Sequence, residues 1–173
     1  MMPILLPLLS MAQAAECPAC AVEKVRGNHR TIHTEIVIDA PPDQVWAVLT
    51  EWEALPEWSP SILGMQGDIR SGGAVTVTYA HPASGKELII DHTLIYAEGE
   101  HFGWSDPVAG GVTDHHLYRV EAVGDGQTRF IQEDELRGGL LVRLLGTRLS
   151  GLLFDSYLDF NQALKERVES RAP

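Results

Sequence analysis

A chain of 173 residues, 45% hydrophobic and 21% charged, has the composition of one globular domain with enough apolar material for a core. Its net charge of −11 and the absence of any basic run among its 13 Lys and Arg residues work against a phosphate backbone, so nucleic acid is excluded as a partner. Charge alone gives it no hold on an anionic membrane either.

Residues 1–15 carry no charged side chain, and the apolar run over residues 3–11 is followed by Ala12-Gln13-Ala14, a small-x-small cleavage pattern. The expectation is a signal peptide over residues 1–14, cleaved after Ala14, and a periplasmic or secreted mature chain. The missing basic residue ahead of the run, with Pro3 and Pro7 inside it, leaves open the alternative of an apolar arm on a cytoplasmic protein. A run of roughly nine apolar residues is far short of the ~20 that cross a hydrocarbon core, so no integral membrane segment is expected in the mature chain.

Residues 15–30 read as a tail holding the only two cysteines, Cys17 and Cys20, in Cys17-Pro18-Ala19-Cys20. In an oxidising compartment they form a small disulfide loop. Covalent haem attachment requires His after the second cysteine, where Ala21 stands, and zinc would have to recruit His29 and His33. No metal is expected.

The domain proper runs over residues 31–173. Residues 32–38 alternate, with Ile32, Thr34, Ile36 and Ile38 on one face, as a half-buried strand does. Ala40-Pro41-Pro42 ends it, and Pro42 suits the first turn of a helix in which Val45, Trp46, Val48, Leu49 and Trp52 recur at helical spacing. A second short helix is predicted from near Pro56, carrying Trp58. From residue 65 to 136 the pattern is of strands and turns: 74–79, 86–97, 101–105, 114–123 and 128–136, the last two joined by Gly124-Asp125-Gly126-Gln127. Successive hairpins imply an antiparallel meander. Gly138-Gly139 closes it, and residues 140–168 form one long helix whose Leu149, Leu153, Tyr157, Phe160, Leu164 and Val168 make a single stripe. Gly146 and Gly151 weaken its first part, where a break or bend is expected.

This order of elements makes a sheet gripping a helix, with room for a ligand between them. Ala40-Pro41-Pro42-Asp43-Gln44-Val45-Trp46, Pro56-Glu57-Trp58-Ser59-Pro60, the hairpin through Gly124-Asp125-Gly126 into Glu133-Asp134-Glu135-Leu136-Arg137-Gly138, and the ending Phe160-Asn161-Gln162-Ala163-Leu164-Lys165 resemble the START-like, or SRPBCC, superfamily, especially its polyketide cyclase/dehydrase-like branch. The resemblance spans residues 32–168. It implies an α+β helix-grip fold: a curved antiparallel sheet, two short helices after the first strand, and a long C-terminal helix over a ligand cavity. It also implies a hydrophobic small molecule as partner, lipid-like, aromatic or polyketide-like. Such proteins share no catalytic motif, and fold alone does not settle chemistry.

If the strands keep their period of two, Leu88, Ile90, His92, Leu94 and Tyr96 share one face, as do His116, Tyr118 and Val120, and Phe130, Gln132, Asp134 and Leu136. Their apolar members turn these faces inward. With Val77 and Tyr79 from the neighbouring strand and Tyr157 and Phe160 from the final helix, they form the expected ligand-binding set. His92, His116 and Asp134 are the candidates for a general base in an enolisation or aldol cyclisation. The same polar groups can instead orient a ligand, or bond only to one another and to buried water. His115 and His116, as strand neighbours, point to opposite faces and do not ligate one ion. No dinucleotide, Walker, zinc-protease or EF-hand pattern is present, and no cofactor is expected. The leading reading is a binder or carrier of a hydrophobic small molecule; the alternative is a cyclase- or dehydratase-like enzyme.

Overall fold

The computed structural model describes residues 17, 19–81, 84–108 and 111–171. The predicted leader and its cleavage site lie outside the described residues. Eight strands, β1 (Ala21–Arg26), β2 (His29–Ile38), β3 (Ile62–Gly67), β4 (Ala74–Ala80), β5 (Glu87–Ala97), β6 (His101–Val108), β7 (Val112–Val123) and β8 (Gln127–Arg137), form one antiparallel sheet in the order β1-β2-β8-β7-β6-β5-β4-β3. Helix α1 (Pro42–Leu49) and a 3₁₀ turn (Trp52–Glu57) follow β2, and α2 (Gly139–Glu169) closes the chain. This is the helix-grip arrangement.

The sheet curves because β5 changes partners along its length. Its first half pairs with β4, from Glu87 opposite Ala80 to Thr93 opposite Ala74, and its second half pairs with β6, from Leu94 opposite Trp104 to Ala97 opposite His101. Pro107 is tolerated inside β6 for the same reason: β5 has already left, so the N–H that proline lacks has no ladder partner on that side. Strand β6 therefore extends three residues beyond the predicted 101–105.

The concave face carries the main core. Ile38, Val45, Trp46, Leu49, Leu55, Val75, Val77, Leu94, Phe102, Phe130, Phe160 and Leu164 are all buried in one cluster beneath α1 and the second half of α2. A smaller cluster of Val112, Leu136 and Val142, with Leu149 and Leu153 against it, lies under the first half of α2.

Three differences from the sequence reading have physical causes. The tail expected over residues 15–30 contributes β1, which pairs with β2 from Ala21 opposite His33 to Arg26 opposite His29. Cys17 and Cys20 are joined in a disulfide, and the Glu35 N–H donates to Cys20 Sγ at 3.2 Å, tying the loop to β2. The second helix is the 3₁₀ turn and ends where it was expected to begin. Its Trp58 N–H caps the Leu55 carbonyl at 3.2 Å, and β3 starts at Ile62. Finally, α2 is continuous through Gly146 and Gly151. Gly146 is there for closeness: a Cβ would stand 3.3 Å from the buried Arg30 guanidinium, which donates to the Arg26 and His29 carbonyls at the β1–β2 turn.

Candidate functional site

A pocket of about 160 Å³ opens between β4, β5, β6, β7 and α2. Its apolar wall is Ile62, Leu88, Ile90, Trp104 and Leu153; its polar groups come from Tyr79, His92, Asp114, His116, Tyr118, Ser156 and Tyr157. Strand alternation puts them there. Residues 88, 90 and 92 of β5 point inward together, as do 114, 116 and 118 of β7, and the cross-strand pairs Trp104 with His116 and Phe102 with Tyr118 align the two faces.

The polar groups form two chains. In the first, Asp106 Oδ2 accepts both the Thr93 N–H at 3.0 Å and His92 Nδ1 at 3.1 Å. A carboxylate on Nδ1 fixes the proton there, which leaves Nε2 as acceptor for the Tyr79 hydroxyl at 3.0 Å. Tyr79 therefore presents oxygen lone pairs to the pocket. The His92 ring stacks on Trp104 with centroids 4.6 Å apart. Burial lowers the His92 pKa, with Asp106 pulling the other way, and burial raises that of Tyr79, so both groups are neutral as hydrogen-bonding partners.

In the second chain, Trp104 Nε1 donates to Asp114 Oδ2 at 3.1 Å, and the Tyr157 hydroxyl donates to Asp134 Oδ2 at 2.7 Å. The two carboxyls are close enough to compete for a proton. Burial raises Asp114, and burial together with the Asp114 charge holds Asp134 well above the carboxylate range. Asp134 is thus the protonated member. Beside them His116 is pushed down to about 3 by burial, so its ring is neutral; its Nε2 is buried without a partner among the described residues.

Of the expected ligand-binding residues, Tyr79, Ile90, His92, Tyr118 and Tyr157 line this pocket, together with the candidate base His116. The others sit elsewhere. Val77 is fully buried in the core, and Phe160 packs there against Trp58, Tyr118 and Phe130. Tyr96 lies by Trp46, its hydroxyl on Glu98, and its pKa is raised to about 12 by burial and that hydrogen bond. Gln132 is behind the pocket, donating to Asn161 Oδ1 and the Tyr157 carbonyl. Asp134 is one layer back, reached through Tyr157.

Sequence reasoning missed Asp106, Asp114, Trp104 and Ser156. The signal was available for two of them: extending the period of two from Tyr118 and His116 reaches Asp114, and from Phe102 reaches Trp104. Among the described residues no group of three or more His, Cys, Asp and Glu side chains is placed to hold a metal ion.

Residues 29–169 match the family model described as polyketide cyclase / dehydrase and lipid transport. The chain is similar in structure to a START superfamily protein from Mycobacterium smegmatis, with a TM-score of 0.66 at 16% identity, covering 82% of this chain and 99% of that one. It is also similar to the Zhui aromatase/cyclase from Streptomyces sp. R1128, with a TM-score of 0.66 at 14% identity over 83% of this chain and 95% of that one. A third likeness is to the di-domain aromatase/cyclase StfQ of the steffimycin biosynthetic pathway, with a TM-score of 0.65 at 10% identity over 84% of this chain and 53% of that one. No curated protein is matched by the sequence. A family model that spans β2 to β8 and α2, on a helix-grip fold shared with these START-like structures, identifies the chain as a member of the polyketide cyclase / dehydrase and lipid transport family.

Proposed function

We propose that the chain binds a hydrophobic small molecule of about one ring's size, bearing a hydroxyl or similar donor, in the pocket between β5, β7 and α2. The carrying observation is the pocket's composition: apolar walls around a few acceptors, the Tyr79 oxygen and the Asp114 carboxyl, that a ligand donor can reach. Size narrows the choice. A pocket of about 160 Å³ compares with the roughly 150 Å³ that admits benzene and falls below the ~300 Å³ at which drug-sized sites begin. An aromatic ligand fits; a polyketide-like or acyl-lipid ligand enters only if Leu88 and Leu153 move aside. Native mass spectrometry of freshly purified chain should show a small non-covalent adduct. Wild type that shows none, and that gains no thermal stability from any member of a panel of phenols, would overturn this reading.

The second reading, a cyclase- or dehydratase-like enzyme, is favoured by the Asp106–His92–Tyr79 chain. The Tyr79 oxygen can take a substrate proton as its own hydroxyl proton passes to His92 Nε2, with Asp106 supporting the imidazolium. Turnover unchanged in a Tyr79→Phe, His92→Gln double variant would remove these residues from any mechanism. We also propose export with cleavage after Ala14 and an oxidised Cys17–Cys20 pair, supported by the small-x-small pattern ahead of that disulfide. Intact mass of periplasmic and cytosolic fractions tests it, and a full-length reduced chain in the cytosol would refute it.

A further inference from the structure

The first three turns of α2 present four leucines to solvent: Leu140 is 66% exposed, Leu141 41%, Leu144 69% and Leu145 54%. At about 100° per residue they share one side of the helix, opposite Val142, Gly146 and Ser150, which are buried toward the sheet. The end of β1 adds Val25, 49% exposed, next to Arg137, while Leu140 and Arg143 border Gly27 and Asn28 of the β1–β2 turn. Nothing in the core reading requires these leucines, and each exposes apolar area to water.

Charge distinguishes what covers them. From residue 137 to 154 there are three arginines and no Asp or Glu, in a chain whose net charge is −11; Arg137 is paired with Glu135, which leaves Arg143 and Arg148. Arg143 and Arg148 on α2, and Arg26 at the turn, are exposed, and none meets a carboxylate among the described residues. By contrast Arg70, Arg119, Arg129, Arg167 and Arg171 are each paired with one. Leucines framed by unpaired guanidiniums match the boundary between acyl chains and anionic headgroups. A second copy of the chain fits less well. The patch is on the order of a few hundred Å², short of the ~800 Å² per partner of a standard interface, and an isologous contact would bring like-charged arginines together.

We infer that the N-terminal half of α2, with the β1–β2 turn, is a docking surface for a bilayer containing anionic phospholipid, on which α2 lies in the interfacial plane. No helix of the described residues is long and apolar enough to cross a membrane, so the helix rests on the bilayer. Leu153, which lines the pocket, lies about 12 Å further along α2 than Leu145 at ~1.5 Å per residue and on its sheet-facing side.

The test is flotation of the full chain with phosphatidylcholine vesicles, with and without roughly one third phosphatidylglycerol. Wild type should float with the anionic vesicles, and Leu140→Ser, Leu144→Ser and Arg143→Glu, Arg148→Glu double variants should each bind about tenfold or more weakly. These positions are exposed, so both variants should keep the wild-type melting temperature. Binding equal in wild type and the leucine variant would overturn the proposal, since the membrane contact would then lie elsewhere, the apolar residues 1–15 included. Absence of wild-type binding would overturn it too, as would concentration-dependent dimerisation abolished by the leucine variant. Phenol binding without vesicles should be the same in all three proteins, which separates failure of this surface from failure of the ligand reading.

Discussion

Asp134 keeps a carboxyl group inside the protein, with one oxygen on the Tyr157 hydroxyl and the Asp114 carboxyl beside it. Its folded pKa is raised above the unfolded value near 3.8, so its contribution to stability is complete below that value and is lost as pH rises toward the folded pKa. His116 works in the opposite direction. Folding lowers it from 6.5 to about 3, so the unfolded chain binds the extra proton between those limits and stability falls as pH drops through them, by up to about 1.4 kcal/mol per pH unit. Above the unfolded carboxyl value the two slopes oppose each other. Urea unfolding should therefore show Asp134→Asn losing stability more steeply than wild type as pH falls toward 4, because the variant keeps the His116 slope without the opposing carboxyl slope. Equal slopes in the two proteins would mean that Asp134 is ionised when folded. The sequence placed both residues on inward faces. It did not separate Asp134 from the pocket, because a period of two gives the face of a strand and says nothing of which layer a side chain reaches. Asp114 and Asp106 were overlooked for a related reason: acidic residues near strand ends read as solvated until the neighbouring strands that bury them are known.

Strands β6 and β7 meet closely at Gly103, opposite Leu117, where a Cβ would run into the His116 carbonyl oxygen and the Leu117 side chain. Gly103→Ala should therefore cost about 2 kcal/mol or more, readable as a shift in the urea midpoint, and should loosen the Trp104 and His116 pair that faces the pocket. A change of less than about 0.5 kcal/mol would mean that the ladder gives way cheaply there. Apart from the 3₁₀ turn and β3, which the sequence reading did not place, element types and order were legible from residue 32 onward, because alternation, the Gly-rich turns and the stripe ending in Leu164 and Val168 are strong local signals. Two further features were not. Strand β1 is exposed at nearly every residue, so it shows no alternation, and its pairing depends on β2. The continuity of α2 at Gly146 depends on Arg30, over a hundred residues earlier, and local propensity gave way to that packing.

At the scale of the molecule, the sequence implied a cavity under α2 but could not give its extent. Most of the space between sheet and helix is filled by Phe102, Phe130 and Phe160, and the pocket survives only toward β4, β5 and the middle of α2. Bulk added at Val77 or Ile90 should consequently act in opposite ways. Val77→Trp overpacks a fully buried position and should destabilise by about 1 to 3 kcal/mol or more. Ile90→Trp grows into the pocket, and should abolish phenol-induced thermal stabilisation while leaving the melting temperature of the free protein within a few degrees of wild type. Severe unfolding by Ile90→Trp would show that the pocket wall is as close-packed as the core.

The stacking of His92 on Trp104, at 4.6 Å and 20° between planes, gives the chain an optical readout of its own pocket. An imidazolium against an indole ring quenches its emission, whereas a neutral imidazole does so weakly. The four tryptophans are divided: Trp46, Trp52 and Trp58 sit on the helical side of the core, and Trp104 alone touches the pocket. A Trp104→Phe difference spectrum followed through acid pH should therefore trace the protonation of the two histidines that touch Trp104, His92 stacked on it and His116 edge-on at 5.8 Å, and displacement of that trace by a bound molecule would report occupancy without any label.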